Sequence, residues 1–236
     1  MLDSVGTIVI LTSAAVILVA MTSTLTPKLG QRILLAMIAG AYLGIAVVAA
    51  ATGKLDTWKG GPLVVLALFG LPLVIAAILW SRPRTHSAMM ALPMPLLIGL
   101  NVYRSLGFMF LLLAADGRLA GPFPYSAGWG DIIVGVFALP LAWAVSRGTA
   151  SNLAVAAWNT FGLLDLVTAV GLGVTSANGS PAQLIHAGVG SQAITHLPWS
   201  LIPTVLVPFF IVTHLIIFAQ LRARAPRRVS AFAMPA

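Results

Sequence analysis

The chain has 236 residues, of which 59% are apolar and only 8% are charged, and its formal net charge is +8. Soluble domains carry about a quarter charged residues, so this composition excludes a water-soluble globular protein and indicates that lipid surrounds the chain. Cysteine is absent, which excludes a disulfide framework, a thiolate nucleophile and a Cys-ligated metal. The basic residues are dispersed between apolar segments, so we expect anionic lipid headgroups as partners and no nucleic acid.

Apolar stretches long enough to cross a membrane recur along the chain, at about 20 residues for a hydrocarbon core of ~30 Å. Seven are present, at residues 5–23, 31–52, 61–81, 90–114, 129–146, 151–175 and 200–221. Because unpaired backbone groups are costly in lipid, the sequence predicts an all-α polytopic bundle of seven spans over residues 1–221. Residues 222–236 are expected to form a basic, disordered cytoplasmic tail. Pro93, Pro95, Pro203 and Pro208 indicate discontinuous helices.

Lysine and arginine are distributed unevenly between alternate loops. With the N-terminus outside, the inner side holds nine, and Arg104 alone lies within a span; the nine are Lys28, Arg32, Arg82, Arg84, Arg147, Arg222, Arg224, Arg227 and Arg228. The outer side holds three, which are Lys54, Lys59 and Arg118. Because cytoplasmic loops carry the excess of positive charge, we expect the N-terminus outside and the C-terminus inside.

Ionisable residues within spans are costly to bury in lipid and are therefore candidate functional residues. Arg104 lies about 21 Å from the inner end of the fourth predicted span, and Asp165 about 22 Å from the inner end of the sixth. Asp131 lies in the first turn of the fifth predicted span, so the three groups share a level in the outer half. We expect Arg104 to bind Asp165, with Asp131 as a second acceptor. Asn101 shares a helix face with Arg104, and Tyr103 flanks it.

Two interpretations of this cluster remain open. In the first, the ions only fix the packing of three helices, and Asp131 caps the N-terminus of the fifth helix. In the second, the cluster lines a polar cavity in the outer half that handles a solute or a proton.

Histidines supply a second group of candidates. His214 and Asn159 lie about 10 Å and 13 Å above the inner ends of their spans, so we expect a hydrogen-bonded pair that could relay protons. His186 and His196 flank the outer end of the last span and are weak metal candidates, with solvated loop histidines as the simpler interpretation. No histidine on another span matches the depth of His214, so no cofactor is predicted and haem is kept only as an alternative.

The second half of the chain carries four stretches with a family resemblance. They are Tyr-Arg with a following Phe-Leu-Leu-Leu run (103–113), Gly-Trp-Gly-Asp-Ile (128–132), Trp-Asn-Thr-Phe-Gly-Leu-Leu-Asp-Leu (158–166) and Leu-Ile-Pro-Thr-Val-Leu-Val-Pro with His214 (201–214). Over about residues 95–220 the chain resembles an uncharacterised family of bacterial multi-pass membrane proteins. The resemblance implies a bacterial inner (plasma) membrane and brings no activity with it.

Three functions are compatible with these patterns. The first is a small-solute or proton-linked transporter, in which Arg104 holds an anionic group and an aspartate exchanges a proton. The second is a non-catalytic membrane subunit or sensor with a structural ion network and a basic tail that contacts lipid or a partner. The third is a haem- or metal-binding membrane protein. Hydrolase, metalloprotease, phosphate-loop and dinucleotide motifs are all missing, so we do not expect an enzyme. Oligomerisation is left open, since Gly40 and Gly44 permit close helix contact.

Overall fold

The computed structural model describes residues 1–56 and 61–224, and all regular structure in these ranges is helical. Seven helical spans are long and apolar enough to cross a membrane, so the chain is a multi-pass membrane protein and the predicted all-α fold is confirmed. The α-helices are α1 (Leu2–Leu25), α2 (Leu29–Ala51), α3 (Gly61–Trp80), α4 (Pro83–Met90), α5 (Met94–Gly99), α6 (Phe108–Ala115), α7 (Phe123–Ser146), α8 (Asn152–Thr175) and α9 (Val207–Arg224).

Two of the spans are discontinuous, as their prolines predict. The fourth span begins after Pro93 and consists of α5, a 3₁₀ segment (Leu100–Gly107) and α6. Since 3₁₀ runs rarely exceed 3–4 residues, an eight-residue segment inside a span is unusual. The seventh span begins with a π-helical turn (Ile202–Leu206), which contains Pro203, and continues as α9.

The fifth span begins earlier than its hydropathy predicts. Helix α7 starts at Phe123, because Pro122 and Pro124 favour the first helical turn and Tyr125 and Ser126 extend the helix beyond its apolar stretch. Asp131 therefore lies more than two turns inside the helix. The interpretation of Asp131 as an N-terminal cap is wrong.

Two other helix boundaries differ from those that hydropathy predicts. The fourth span starts at Met94 and not at residue 90, because residues 83–90 form the separate short helix α4. Helix α9 runs to Arg224, three residues beyond the predicted end of the membrane domain. The predicted disorder of the tail from residue 225 onward, with Arg227 and Arg228, lies outside the described residues, as does Lys59.

A polar contact fixes the N-terminal end of α1 against the rest of the bundle. Asp3 Oδ1 accepts hydrogen bonds from Arg118 Nη1 at 2.7 Å and from Trp199 Nε1 at 2.8 Å. Trp199 is fully buried, and its ring covers Gly6 so closely that a Cβ there would lie 2.5 Å from the indole. Helix α1 is thereby joined to the segment that leads into the seventh span.

Helix α2 is connected to two proline-containing spans through a single tyrosine hydroxyl. Pro72 and Pro208 have no N–H, so the carbonyl groups four residues earlier, on Leu68 and Thr204, lose their α-helical donors. Tyr42 Oη lies within hydrogen-bonding distance of both carbonyl oxygens. The single hydroxyl proton of Tyr42 is thus shared between the freed carbonyl groups of α3 and the π segment.

Candidate functional site

Arg104 is positioned by the 3₁₀ segment of the fourth span. With three residues per turn, residues at i and i+3 lie directly above one another, so Asn101, Arg104 and Gly107 share one face. All three are buried, and this face is directed at α7. The local 3₁₀ geometry therefore aims the buried Arg104 side chain at the centre of the bundle.

The guanidinium of Arg104 is bonded to three other helices. Its Nε donates to Asp131 Oδ1 of α7 at 2.7 Å, and its Nη2 donates to Asp165 Oδ2 of α8 at 2.5 Å. Its Nη1 contacts the carbonyl oxygen of Gly162 at 2.9 Å and His214 Nε2 of α9 at 3.0 Å. The predicted pairing of Arg104 with both carboxylates is confirmed. The separation of His214 into a lower level is wrong, because Arg104 reaches it directly.

Hydrogen bonding determines which ring nitrogen of His214 carries the proton. Arginine has only donors, so His214 Nε2 must accept from Arg104 and the proton lies on Nδ1. That Nδ1 donates to Asn159 Oδ1 at 2.7 Å, and Asn159 Nδ2 donates to the His214 carbonyl oxygen at 3.0 Å. The predicted Asn159–His214 pair is confirmed, and it holds a neutral imidazole against the guanidinium.

Glycines create the space that this cluster occupies. A Cβ on Gly162 would lie 2.6 Å from His214 Cε1 and 3.1 Å from Arg104 Nη1, so no other residue fits without displacement. A Cβ on Gly130 would overlap the carboxylate of Asp165, and one on Gly107 would lie 2.5 Å from Asp131 Cβ. Sequence reasoning missed these positions, although the three-residue spacing of Asn159, Gly162 and Asp165 was a detectable signal.

The cluster carries an unbalanced charge if both of its carboxylates are ionised. Two aspartates, one arginine and one neutral histidine then sum to a net charge of about −1 in a site that is nearly closed to solvent. Side-chain exposure is 1% for Arg104, 7% for Asp165 and 14% for Asp131. Because a net charge is expensive to bury, the cluster favours the uptake of one proton or one cation, and Asp131 is its most accessible group.

Two cavities meet at Asp131. The smaller, about 30 Å³, is lined by Arg104, Asp131 and Tyr103, and it has room for one or two water molecules at about 10–15 Å³ each. The larger, about 320 Å³, lies between α3, α7, α8 and the π segment. Of the described residues that line the larger cavity, Asp131 is the only charged one, and most of the others are apolar. A cavity is therefore present beside the ion cluster, as expected, but its wall is mostly apolar where a polar wall was expected.

The remaining predicted residues lie away from this centre. Asn101 Nδ2 donates to the Leu97 carbonyl within its own span, at 2.9 Å, and its Oδ1 is buried without a hydrogen-bond partner. His186 and His196 are exposed in the loop between α8 and the seventh span. Within residues 1–56 and 61–224, no three His, Cys, Asp or Glu side chains form a group that could hold a metal ion. Both ring nitrogens of His214 are engaged, so the geometry does not favour axial ligation of haem.

Comparison with known proteins identifies a family for most of the chain. A sequence family described as "Domain of unknown function (DUF8737)" matches residues 62–222, a range that contains every member of the Arg104 cluster and most of the larger cavity. No curated protein and no solved structure matches the chain.

Proposed function

Because residues 62–222 match its family model, the chain belongs to the DUF8737 family, and from the geometry of the site we propose that it is a proton-linked membrane transport protein. In this proposal Asp131 binds and releases one proton at the boundary between the two cavities. We also propose a bacterial inner membrane as its location, in keeping with the family resemblance of residues 95–220.

The observation that carries the proposal is the buried excess of one negative charge beside a cavity. Arg104 neutralises one carboxylate, so the second requires a proton or a cation whenever the site is closed to water. Within the described residues, Asp131 Oδ2 accepts no hydrogen bond, whereas Oδ1 is bound by Arg104. The free oxygen supplies the place for that proton, and the small cavity can hold the water that delivers it.

The other members of the cluster have distinct roles in this proposal. Arg104 keeps Asp165 ionised and oriented, and it remains bound to the Gly162 carbonyl when Asp131 changes its protonation state. His214 accepts from Arg104 and so fixes the rotation of the guanidinium. An anionic substrate on Arg104 is not favoured, because all three of its nitrogens are already bonded.

Infrared difference spectroscopy of the protein in nanodiscs, between acidic and alkaline pH, would test the proton site. We expect the carbonyl stretch of a protonated carboxylic acid in the wild type, its loss in Asp131→Asn, and its retention in Asp116→Asn. Asp116 is the matched control because it is exposed and lies outside the cluster. A band that is unchanged in Asp131→Asn would contradict the proposal, and its loss in Asp165→Asn alone would place the proton on Asp165 instead.

A second function is favoured by a different observation. Arg104 connects the fourth span to α7, α8 and α9. A purely structural ion network in a non-catalytic subunit or sensor would make the same connections. Proteoliposomes with an acidic lumen and a trapped pH-sensitive dye distinguish the two. Transport predicts that some class of small solute collapses the pH gradient faster in wild-type than in protein-free or Asp131→Asn vesicles. A purely structural ion network predicts no such difference for any class of solute.

A further inference from the structure

The larger cavity combines an apolar wall with a single carboxylate. Its volume of about 320 Å³ is at the small end of the range for ligand pockets, about 300–1,000 Å³. The wall includes three aromatic rings, those of Phe69, Phe110 and Phe123. Such a wall favours an apolar body, and aromatic rings also attract cations through their π faces.

The polar groups of the cavity are unequal in what they offer a ligand. The hydroxyl of Ser191 donates to the Gly173 carbonyl at 2.6 Å, and that of Thr195 donates to the Gln192 carbonyl at 2.9 Å. Asp131 Oδ2 is an unoccupied acceptor on a group with a negative charge. A ligand that enters the cavity therefore gains most from a positively charged hydrogen-bond donor at one end.

We propose that the cavity binds lipophilic monocations with an N–H donor, that is, protonated amines on a compact apolar body, in exchange for the proton on Asp131. This inference rests on the proposed proton site and names its substrate class. The exchange balances: the carboxylic acid releases one proton, the carboxylate accepts the ammonium group, and the cluster stays neutral in both states. Proton and amine exclude each other because they occupy the same oxygen.

The groups around Asp131 restrict the exchange to one oxygen of its carboxylate. Arg104 on the 3₁₀ segment binds Asp131 directly, and the same guanidinium also contacts Asp165 on α8 and His214 on α9. Tyr103 is the other titratable residue that lines the small cavity with Asp131. Arg104 occupies Oδ1 and repels a free cation, so in this proposal the amine binds Oδ2. An anion would meet the negative carboxylate and an apolar wall, and it is excluded.

A matched series of ligands tests the charge preference of the cavity. The probes are 1-adamantylamine, 1-adamantanol and 1-adamantanecarboxylate, which share one apolar body and differ in charge. Equilibrium dialysis of the purified full-length protein, with empty micelles subtracted, should give a Kd for the amine about tenfold or more below that of the alcohol, as expected for a charge-assisted hydrogen bond. The carboxylate should not bind. Equal affinity for amine and alcohol would overturn the proposal.

Two variants assign the binding to this cavity. Asp131→Asn should lose the preference for the amine, whereas Asp116→Asn should keep it. Ala169→Leu narrows the cavity on the α8 side without changing the ion cluster, and it should weaken amine binding by about tenfold, roughly the effect of opposing one bulky side chain in a filled pocket. Amine binding that is unaffected by Ala169→Leu would place the ligand elsewhere and overturn the proposal.

Measuring proton release distinguishes a failure of the amine proposal from a failure of the proposed proton site. In weakly buffered solution with an indicator dye, saturating amine should release about one proton per protein molecule from the wild type and none from Asp131→Asn. If the infrared band of Asp131 is present but the amine has no preference over the alcohol and releases no proton, the substrate class is wrong and the proton site stands. If the infrared band is absent as well, the proposed function itself fails.

Discussion

At the scale of single residues, Arg104 is the group whose loss should be most damaging. Arg104→Ala leaves Asp131 and Asp165 buried without their cation, and we expect the free energy of unfolding to fall by about 3–5 kcal/mol. The double variant Arg104→Ala with Asp165→Ala removes one stranded carboxylate and should recover part of this loss. Unfolding in mixed micelles measures both. A double variant no more stable than the sum of the single effects would contradict the pairing.

Gly162 allows a matched test of the close packing around His214. Gly162→Ala places a methyl group 2.6 Å from the imidazole and 3.1 Å from the guanidinium. We expect it to destabilise the protein by about 1–3 kcal/mol, the usual cost of overpacking. Gly171→Ala lies on the same helix, where a Cβ would meet nothing within 4 Å. It should be neutral or stabilising by up to about 1 kcal/mol. Equal melting temperatures for the two variants would show that the cluster is not tightly packed.

Depth along the predicted spans locates some residues of the site and misplaces others. Depth counting along regular helices brings Arg104 and Asp165 to one level, because such counting needs only the rise per residue. It separates His214 from Arg104, because a side chain as long as arginine spans more than a helical turn of depth. Depth counting also gives no information on the glycines, since the space that they leave depends on which helices are neighbours.

At the scale of elements, Tyr42 is expected to stabilise two helical segments that contain proline. Tyr42→Phe removes the hydroxyl that lies beside the Leu68 and Thr204 carbonyls, and leaving such groups unbonded in the membrane costs about 1–3 kcal/mol. Tyr125→Phe is the control, since that side chain is exposed. Thermal unfolding should show a lower midpoint for Tyr42→Phe only.

Restoring a backbone donor tests the mechanism of this contact. Pro72→Ala gives residue 72 an N–H that can bond the Leu68 carbonyl in the ordinary helical manner. In the Pro72→Ala background, the further change Tyr42→Phe should therefore cost less than it does in the wild type. A cost that is the same in both backgrounds would mean that Tyr42 acts by packing alone.

The starts of elements are predicted less well than their existence, for a physical reason. Hydropathy detects the part of a helix that lipid surrounds, so it places the start of the fifth span at residue 129. Helix α7 begins at Phe123 because Pro122 and Pro124 satisfy the geometry of a helical N-terminus regardless of hydropathy. The six-residue difference matters for function, because it moves Asp131 from the end of a helix to its interior, beside Arg104.

At the scale of the whole molecule, seven spans follow from composition alone, because only helices satisfy the backbone in lipid. Which of the seven spans build the site is less predictable from the sequence. The second half of the chain holds the ion cluster and the discontinuous helices, whereas few side chains of α2 and α3 are buried, 11% and 6% of their apolar windows. Helix α3 forms part of the wall of the larger cavity, which no local pattern on α3 indicates.

The charges of the loops predict the orientation of the whole molecule in the membrane. The chain has no cysteine, so single cysteines report accessibility without interference. Leu184 and Thr149 are both exposed, and they lie in loops at opposite ends of α8. With the positive loops inside, a membrane-impermeant maleimide should label Leu184→Cys in intact cells and Thr149→Cys only after permeabilisation. The reverse pattern would place Asp131 in the inner half of the membrane, and the proton would then be taken from the cytoplasmic side.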